Sequence, residues 1–392
     1  MIRVGFVCDY LEIGGLELGC IELIRRLDRA RFAPYLYAFR PGLLLSQAQS
    51  ADVPIMIGHD KPGADQTWTA ADSAARVRYR TTLAERLRAD AIDVCLVYAW
   101  WDGVTVAQDA AIGAIVERLD GPTLASRISD KSPCRRVICE SRGMRDLVLA
   151  QRELLRCRPE QLVVIPNGID LERFDPRRYD RARCRQALGL SADDFVIGSV
   201  ARLAPEKNLG HLLRAVKLLI DSTARQPHPR AKSPPIKVVV AGPDQGCRAA
   251  LEAEAGALAI ADRARFLGPR SDIPEVLAAL DVFTLTSIYE GSPFALVEAM
   301  AMGLPAVATH VGAMAEVIDG NGYLVGPFSP EQTGRALGQL LLDSELRARL
   351  GDRSREVAQR YDLRQMVRSY EAVILEALAE SRAESAPAGT PS

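Results

Sequence analysis

Short runs of β-branched and other apolar residues alternate with helix-period patterns from one end of the chain to the other. That alternation predicts parallel α/β sheets. In the first half the predicted strands are 3–8, 35–39, 53–57, 94–98, 114–118, 136–139 and 162–165. In the second half they are 195–200, 237–241, 264–267, 282–285 and 306–308. Amphipathic stretches lie between them, such as 209–220, where Leu212, Leu213, Val216, Leu219 and Ile220 share one helical face. Each strand series opens with a glycine-marked strand-to-helix turn, which predicts two doubly wound, Rossmann-like domains in tandem. The break falls at Pro166-Asn167-Gly168, a strong turn signal, and a charged segment, 170–185, follows it. The predicted domains are therefore 1–168 and 185–362. A last helical pattern, 363–380, either closes the second domain or returns to the first. Residues 222–235, 66–73 and the small-residue tail 381–392 read as surface loop or disorder.

Composition narrows the function more than the fold. The chain has 392 residues, 48% hydrophobic and 25% charged, with 49 basic against 50 acidic side chains and a net charge of −1. That length suits two cores better than one. The even charge balance gives no global attraction to nucleic acid, and membrane association is not indicated. The apolar run at the N-terminus is too short for a signal peptide or a span, and the eight cysteines show no C-x-x-C pair. The expectation is a cytoplasmic protein with reduced thiols and no metal site.

Three strand-to-helix turns are candidate anion sites. At Gly14-Gly15 the absence of side chains lets backbone N–H groups approach an anion at the positive end of a helix, although an isolated glycine pair is more often just a turn. The second turn, Ala201-Arg202-Leu203-Ala204-Pro205-Glu206-Lys207-Asn208, offers the planar fork of Arg202 and the point charge of Lys207 ahead of a helix capped by Asn208. In isolation it reads better as a solvated charged loop. In the third, Ser292 reads as an N-cap and Pro293 as the first helical residue, which puts Glu290 at the helix mouth and Glu298 within the helix. Free amides from Gly291 through Ser292 and Phe294 to Ala295 suit a phosphate or sugar oxygen, and carboxylates suit pairs of sugar hydroxyls. Phe294, Leu296, Val297, Met300 and Met302 make the helix apolar, so Glu298 calls for a partner.

With these turns on the page, the chain resembles the retaining family 4 glycosyltransferases. Residues 290–305, E-G-S-P-F-A-L-V-E-A-M-A-M-G-L-P, look like that family's E-x7-E signature, and Arg202 with Lys207 like its R-x4-K pair. Further pieces follow in order: Gly14-Gly15-Leu16-Glu17, Ile165-Pro166-Asn167-Gly168-Ile169-Asp170, Ala241-Gly242-Pro243, Phe266-Leu267-Gly268, and Gly312 with Glu316-Val317-Ile318. The likeness is strong over the second half and weaker over the first.

The resemblance implies the GT-B fold, two Rossmann-like domains facing across a cleft, with the last helix crossing back to the first domain. It implies transfer of a sugar, with retention, from a nucleotide-diphosphate sugar to an unidentified acceptor. Arg202 and Lys207 would bind the diphosphate, Glu290 the transferred sugar and Glu298 the ribose. Gly14 and Gly15 would close over the phosphates, and the base would sit near Gly268–Arg270. No metal or other cofactor is expected, since no Asp-x-Asp occurs and cations and helix ends supply the positive field. The chain departs from the family in one place. The histidine often found near the acceptor hydroxyl is absent around Glu117-Arg118-Leu119-Asp120-Gly121-Pro122, where Asp120 stands nearest. Asp120 is thus the acceptor-side candidate, and a turn residue equally. A nucleotide-sugar epimerase on the same scaffold and a non-catalytic partner subunit are the rival readings. Basic residues 76–80 and 86–88 read as a solvated helix face rather than a contact for an anionic acceptor.

Overall fold

The computed structural model describes the chain except residues 12–14, 43, 59–69, 99–101, 120–130, 226–233, 292 and 386–392, and leaves aside the side chains of 15, 16 and 70–74. It divides into two compact units, Met1–Gly168 with Arg364–Ser392, and Ile169–Leu363.

The first unit holds a seven-stranded parallel sheet: β1 (Ile2–Tyr10), β2 (Phe32–Arg40), β3 (Ile55–Ile57), β4 (Val94–Tyr98), β5 (Ala114–Arg118), β6 (Arg136–Cys139) and β7 (Leu162–Val164). Its order is β3-β2-β1-β4-β5-β6-β7. The central strands β4 and β5 are buried along their whole length, as strands of a sheet covered on both faces are, and β5 carries its two buried charges, Glu117 and Arg118, at its carboxyl end. The edge strands β3 and β7 are only half-buried.

The second unit repeats the design with β8 (Phe195–Val200), β9 (Ile236–Ala241), β10 (Ala264–Gly268), β11 (Val282–Leu285), β12 (Ala306–Thr309) and β13 (Gly322–Val325). The order β10-β9-β8-β11-β12-β13 reverses direction between β8 and β11. In open parallel sheets, ligands bind at the carboxyl ends of the strands that flank such a reversal. The fold class is therefore the expected pair of Rossmann-like sheets. The helix Leu209–Arg225 turns Leu209, Leu212, Leu213, Val216 and Leu219 into the core beside β8 and β9.

Four local expectations are corrected. β13 is absent from the predicted strands because it opens on a glycine in the turn-like run Asp319-Gly320-Asn321-Gly322. That glycine has a packing reason, since a Cβ on Gly322 would lie 2.1 Å from the carbonyl oxygen of Ala306 on β12. Residues 222–225, expected in a loop, close the helix Leu209–Arg225, and residues 70–73 begin the helix Ala70–Ala89. The rest of those two loops lies outside the described residues, apart from the short lead into β9. The last helix, Leu363–Ser385, runs into the predicted tail. Its final turns are tied by Arg135, which grips Glu384 with two donors at 2.5 and 2.6 Å. Finally, Arg76 belongs to no solvated face: it is buried, and its Nε donates to Asp102 at 3.3 Å. Val77, Arg78, Arg86 and Arg88 are exposed.

The last helix is fastened to the first unit's sheet by a buried arginine. Arg118, at the end of β5, donates to the carbonyl of Ile165 (3.1 Å), the hydroxyl of Tyr370 (2.9 Å) and the side-chain oxygen of Asn167 (2.7 Å). Glu140 lies 3.8 Å from the same guanidinium. Met366, Val367, Tyr370, Val373, Ile374, Ala377 and Leu378 form the helix's buried stripe, recurring every three or four residues. No helix among the described residues is long and apolar enough to cross a membrane.

Candidate functional site

The loops after β8, β11 and β12 meet at the reversal point of the second sheet. The first is Ala201–Asn208, whose 3-10 turn Pro205–Lys207 is followed by Asn208 in the left-handed region, φ 47°. The Asn208 amide donates to Pro327 at 3.3 Å, so the residue stands at the helix start without the extended backbone usual for a cap. The second loop leads from Thr286 to Pro293 and into the helix Phe294–Ala301. Pro293 is the cap rather than the first helical residue, a one-residue shift from the expected start. Hydrogen bonds stitch the two loops together. Ile288 N–H donates to Glu206 O at 2.9 Å, and the Thr286 hydroxyl donates to the carbonyls of Lys207 and Asn208, both at 3.2 Å.

This stitching brings Lys207 and Glu290 together across 83 residues of sequence. The ammonium of Lys207 donates to Glu290 Oε1 at 2.6 Å, and the Ser287 hydroxyl donates to the same oxygen at 2.6 Å. Glu290 is 8% exposed and Ser287 wholly buried. The third loop presses on Glu290 from behind. Gly312 has φ +50°, and a Cβ there would lie 1.8 Å from the Glu290 carbonyl oxygen. The Thr309 hydroxyl donates to Ser287 O at 2.5 Å.

The other expected residues take distinct places. Arg202 is part-exposed, held by Glu206 (2.8 Å) on its own loop and by Gln245 (2.6 Å) on the loop after β9. Gly291 and Phe294 are half-buried, and Pro293 is buried. Glu298 lies on the helix Phe294–Ala301 and keeps part of its surface accessible, yet the apolar packing around its carboxyl pushes it up to about 7. The charge of the exposed Arg173 acts the other way and is outweighed; no hydrogen bond or ion pair to Glu298 is found among the described residues, and the Arg173 guanidinium donates to Ser271 O at 3.2 Å. Arg270 is exposed beyond β10 and bound to Asp272 (2.7 Å). In the first unit, Gly15 opens the helix Gly15–Arg26 after β1. Gly14, Asp120 and Ser292 lie outside the described residues. Glu117 beside Asp120 is buried and engaged, accepting from Lys131 at 2.6 Å and from the Cys134 thiol at 3.7 Å.

Sequence reasoning passed over Ser287, Glu206, Gln245 and Arg173. For Ser287 a signal existed, the S-x-x-E spacing to Glu290. The others are gathered by loop packing and leave no local pattern.

A cation, two carboxylates and a helix mouth at the reversal point of a Rossmann-like sheet, with a second such sheet in the chain, define the GT-B class. Residues 180–357 match the model for glycosyl transferases group 1, and residues 13–173 the model for glycosyltransferase family 4. The chain belongs to the family 4 glycosyltransferases. Among curated relatives, the D-inositol 3-phosphate glycosyltransferase of Corynebacterium jeikeium is 36% identical over 199 residues, covering 48% of this chain and 45% of that protein. The UDP-Gal:alpha-D-GlcNAc-diphosphoundecaprenol alpha-1,3-galactosyltransferase of Escherichia coli is 34% identical over 167 residues, covering 43% and 39%. The matches thus span less than half the length of these two relatives. The fold is shared with Anabaena Alr3699/HepE, solved in complex with UDP and glucose, at a TM-score of 0.77 and 20% identity over 96% of this chain and 100% of that one. It is also shared with WaaG, a glycosyltransferase involved in lipopolysaccharide biosynthesis, at 0.74 and 18% over 95% and 99%.

Proposed function

We propose that the chain transfers a sugar from a nucleoside-diphosphate donor to an acceptor hydroxyl, retaining anomeric configuration and needing no metal. The observation that carries this reading is the meeting of Lys207 and Glu290 at the reversal point, with Arg202 on the same loop and Glu298 on the helix that opens there. Family membership supports it, as do the nucleotide sugar named for the Escherichia coli relative and the UDP bound in the Anabaena structure.

In this reading the bond between the sugar's anomeric carbon and the diphosphate oxygen breaks, and its electron pair leaves with the phosphate. Negative charge grows there as the transition state forms. Arg202, Lys207 and the amides at the mouth of the helix Phe294–Ala301 are fixed beforehand by the loop bonds described above. They need little reorganisation to meet that charge, which makes them the main source of acceleration. Glu290 accepts from hydroxyls of the transferred sugar, and Glu298 from the ribose. The acceptor oxygen bonds to the anomeric carbon on the face the phosphate leaves, and its proton passes to the departing phosphate oxygen. By the family resemblance, Gly14 and Gly15 remain the candidates for phosphate contact and Asp120 for the acceptor hydroxyl.

The test is a donor screen followed by product analysis. UDP-galactose, UDP-glucose and other nucleotide sugars are screened by thermal shift, where a bound donor raises the melting temperature by mass action. Donors that bind are then assayed with inositol 3-phosphate and with lipid-linked sugar acceptors. A product of unchanged anomeric configuration by NMR is expected. An inverted product, or a donor isomerised without any acceptor, would refute the reading.

A further inference from the structure

We infer that Ser287 is a positioning residue for Glu290, fixing which carboxylate oxygen is offered to the transferred sugar. The inference rests on the proposed role of Glu290.

The geometry separates the two oxygens of Glu290. Oε1 receives both the Ser287 hydroxyl and the Lys207 ammonium, each at 2.6 Å. Among the described residues, no group donates to Oε2, which leaves that oxygen as the acceptor for a ligand hydroxyl. A carboxylate held at one oxygen by two donors has its plane and its second oxygen directed. The two donors differ in permanence. Lys207 is the cation a diphosphate attracts, and a phosphate oxygen competes for the proton it gives to Oε1. Ser287 has no such competitor. It is wholly buried at the end of β11, and the Thr309 hydroxyl holds its carbonyl at 2.5 Å. Gly312 packs against the Glu290 carbonyl, so the backbone of Glu290 cannot move to compensate for a lost side-chain bond. As Lys207 turns toward phosphate, Ser287 is the donor that keeps Oε1 in place and Oε2 aimed.

The consequence is a split between nucleotide and sugar recognition. UDP carries no transferred sugar, so losing the Ser287 hydroxyl leaves its binding nearly unchanged. With a UDP-sugar, the misaimed carboxylate lowers turnover.

The experiment compares the full-length chain with Ser287→Ala, Glu290→Gln and the double variant. UDP affinity is measured by calorimetry, and kcat and KM with whichever of UDP-glucose or UDP-galactose the wild type uses. For Ser287→Ala we expect UDP affinity within about twofold of wild type and kcat down about tenfold, the scale of one hydrogen bond to a charged group, with little change in KM. In the Glu290→Gln background, Ser287→Ala should add no further loss. Ser287→Cys, similar in size with a weaker donor, should fall between wild type and alanine, and it is read in place of alanine if that variant does not fold. Equal weakening of UDP and UDP-sugar, or an effect that adds in full to Glu290→Gln, would overturn the inference and leave Ser287 a packing residue. If Glu290→Gln itself leaves turnover unchanged, the role of Glu290 fails first and the inference falls with it.

Discussion

At the scale of single residues, the ion pair between Lys207 and Glu290 joins two functions, so neither partner can be removed quietly. Lys207→Ala takes a cation from the proposed phosphate site and leaves a buried carboxylate with Ser287 as its one donor among the described residues. It should weaken nucleoside-diphosphate binding and slow transfer by one to a few powers of ten, about 1.5 to 4 kcal/mol. Calorimetry with UDP and steady-state rates check this, and unchanged kinetics in a folded variant would remove Lys207 from the site. Glu298 yields a pH prediction. Its carboxyl is raised to about 7 by burial against an ordinary value of 4.5, so the folded chain keeps this proton after the unfolded chain has lost it. Its contribution to stability is full below about 4.5, falls as pH rises toward 7 and levels off above that. Glu298→Gln should flatten that slope in denaturant melts taken across the window. If the ribose hydroxyls donate to its carboxylate, donor KM should also drop as pH rises past 7 in the wild type and stay level in the variant. The motifs holding these residues are legible in sequence, but their pairing is not. Local spacing carries no trace of a bond between loops 83 residues apart.

Among the elements, the strands were the most legible feature and the sheet edges the least. β4, β5, β6, β8 and β11 coincide with the runs that predict them, because strands covered on both faces are rich in β-branched and apolar residues, even where β5 ends on Glu117 and Arg118. β13 has no such need at its half-buried edge, and its first residue must be glycine to let β12 approach, so its sequence looks like a turn. The last helix was legible as a helix, and its seat came only from the family resemblance, since a buried stripe does not say what it faces. The structure names the fastening. Arg118→Ala would remove donors to Ile165, Asn167 and Tyr370 and the cation 3.8 Å from Glu140. Breaking a buried polar network of this kind typically costs about 3 to 5 kcal/mol. Hydrogen exchange should then rise along residues 364–385 well before it rises in β8 or β9. Uniform exchange across both units would show that Arg118 does not hold this helix in particular. By contrast, Arg136→Ala cuts only part-exposed pairs with Glu376 and Glu380, and should cost about 1 kcal/mol or less.

For the whole molecule, the proposed chemistry makes one claim that no single residue carries, independence from divalent metal. Among the described residues, no group of three or more His, Cys, Asp or Glu side chains is placed to hold an ion, and the cations at the proposed phosphate site are Arg202 and Lys207. Transfer should persist in EDTA at close to its untreated rate. Loss of activity restored by Mg²⁺ or Mn²⁺ would mean that Arg202 and Lys207 do not suffice. The two-sheet plan itself was legible because strand-to-helix alternation repeats along the chain. The acceptor was not, since the residues near Asp120 follow no pattern that specifies a chemical class.

The first unit is assembled from both ends of the chain, while Ile169–Leu363 is one continuous stretch. A ribosome therefore delivers the second unit whole while the first still lacks its final helix. Until residues 364–385 emerge, the ground that Tyr370, Ile374 and Leu378 will cover stays open, and Arg118 has no hydroxyl to grip. Of the two units the one begun first is thus the last completed, and it must wait through the 195 residues of Ile169–Leu363, on the order of ten to forty seconds at common rates of synthesis, with apolar surface exposed. Chains stopped short of Arg364 should accumulate as aggregates or bind chaperones through their first 168 residues, and supplying the missing helix late should rescue them poorly.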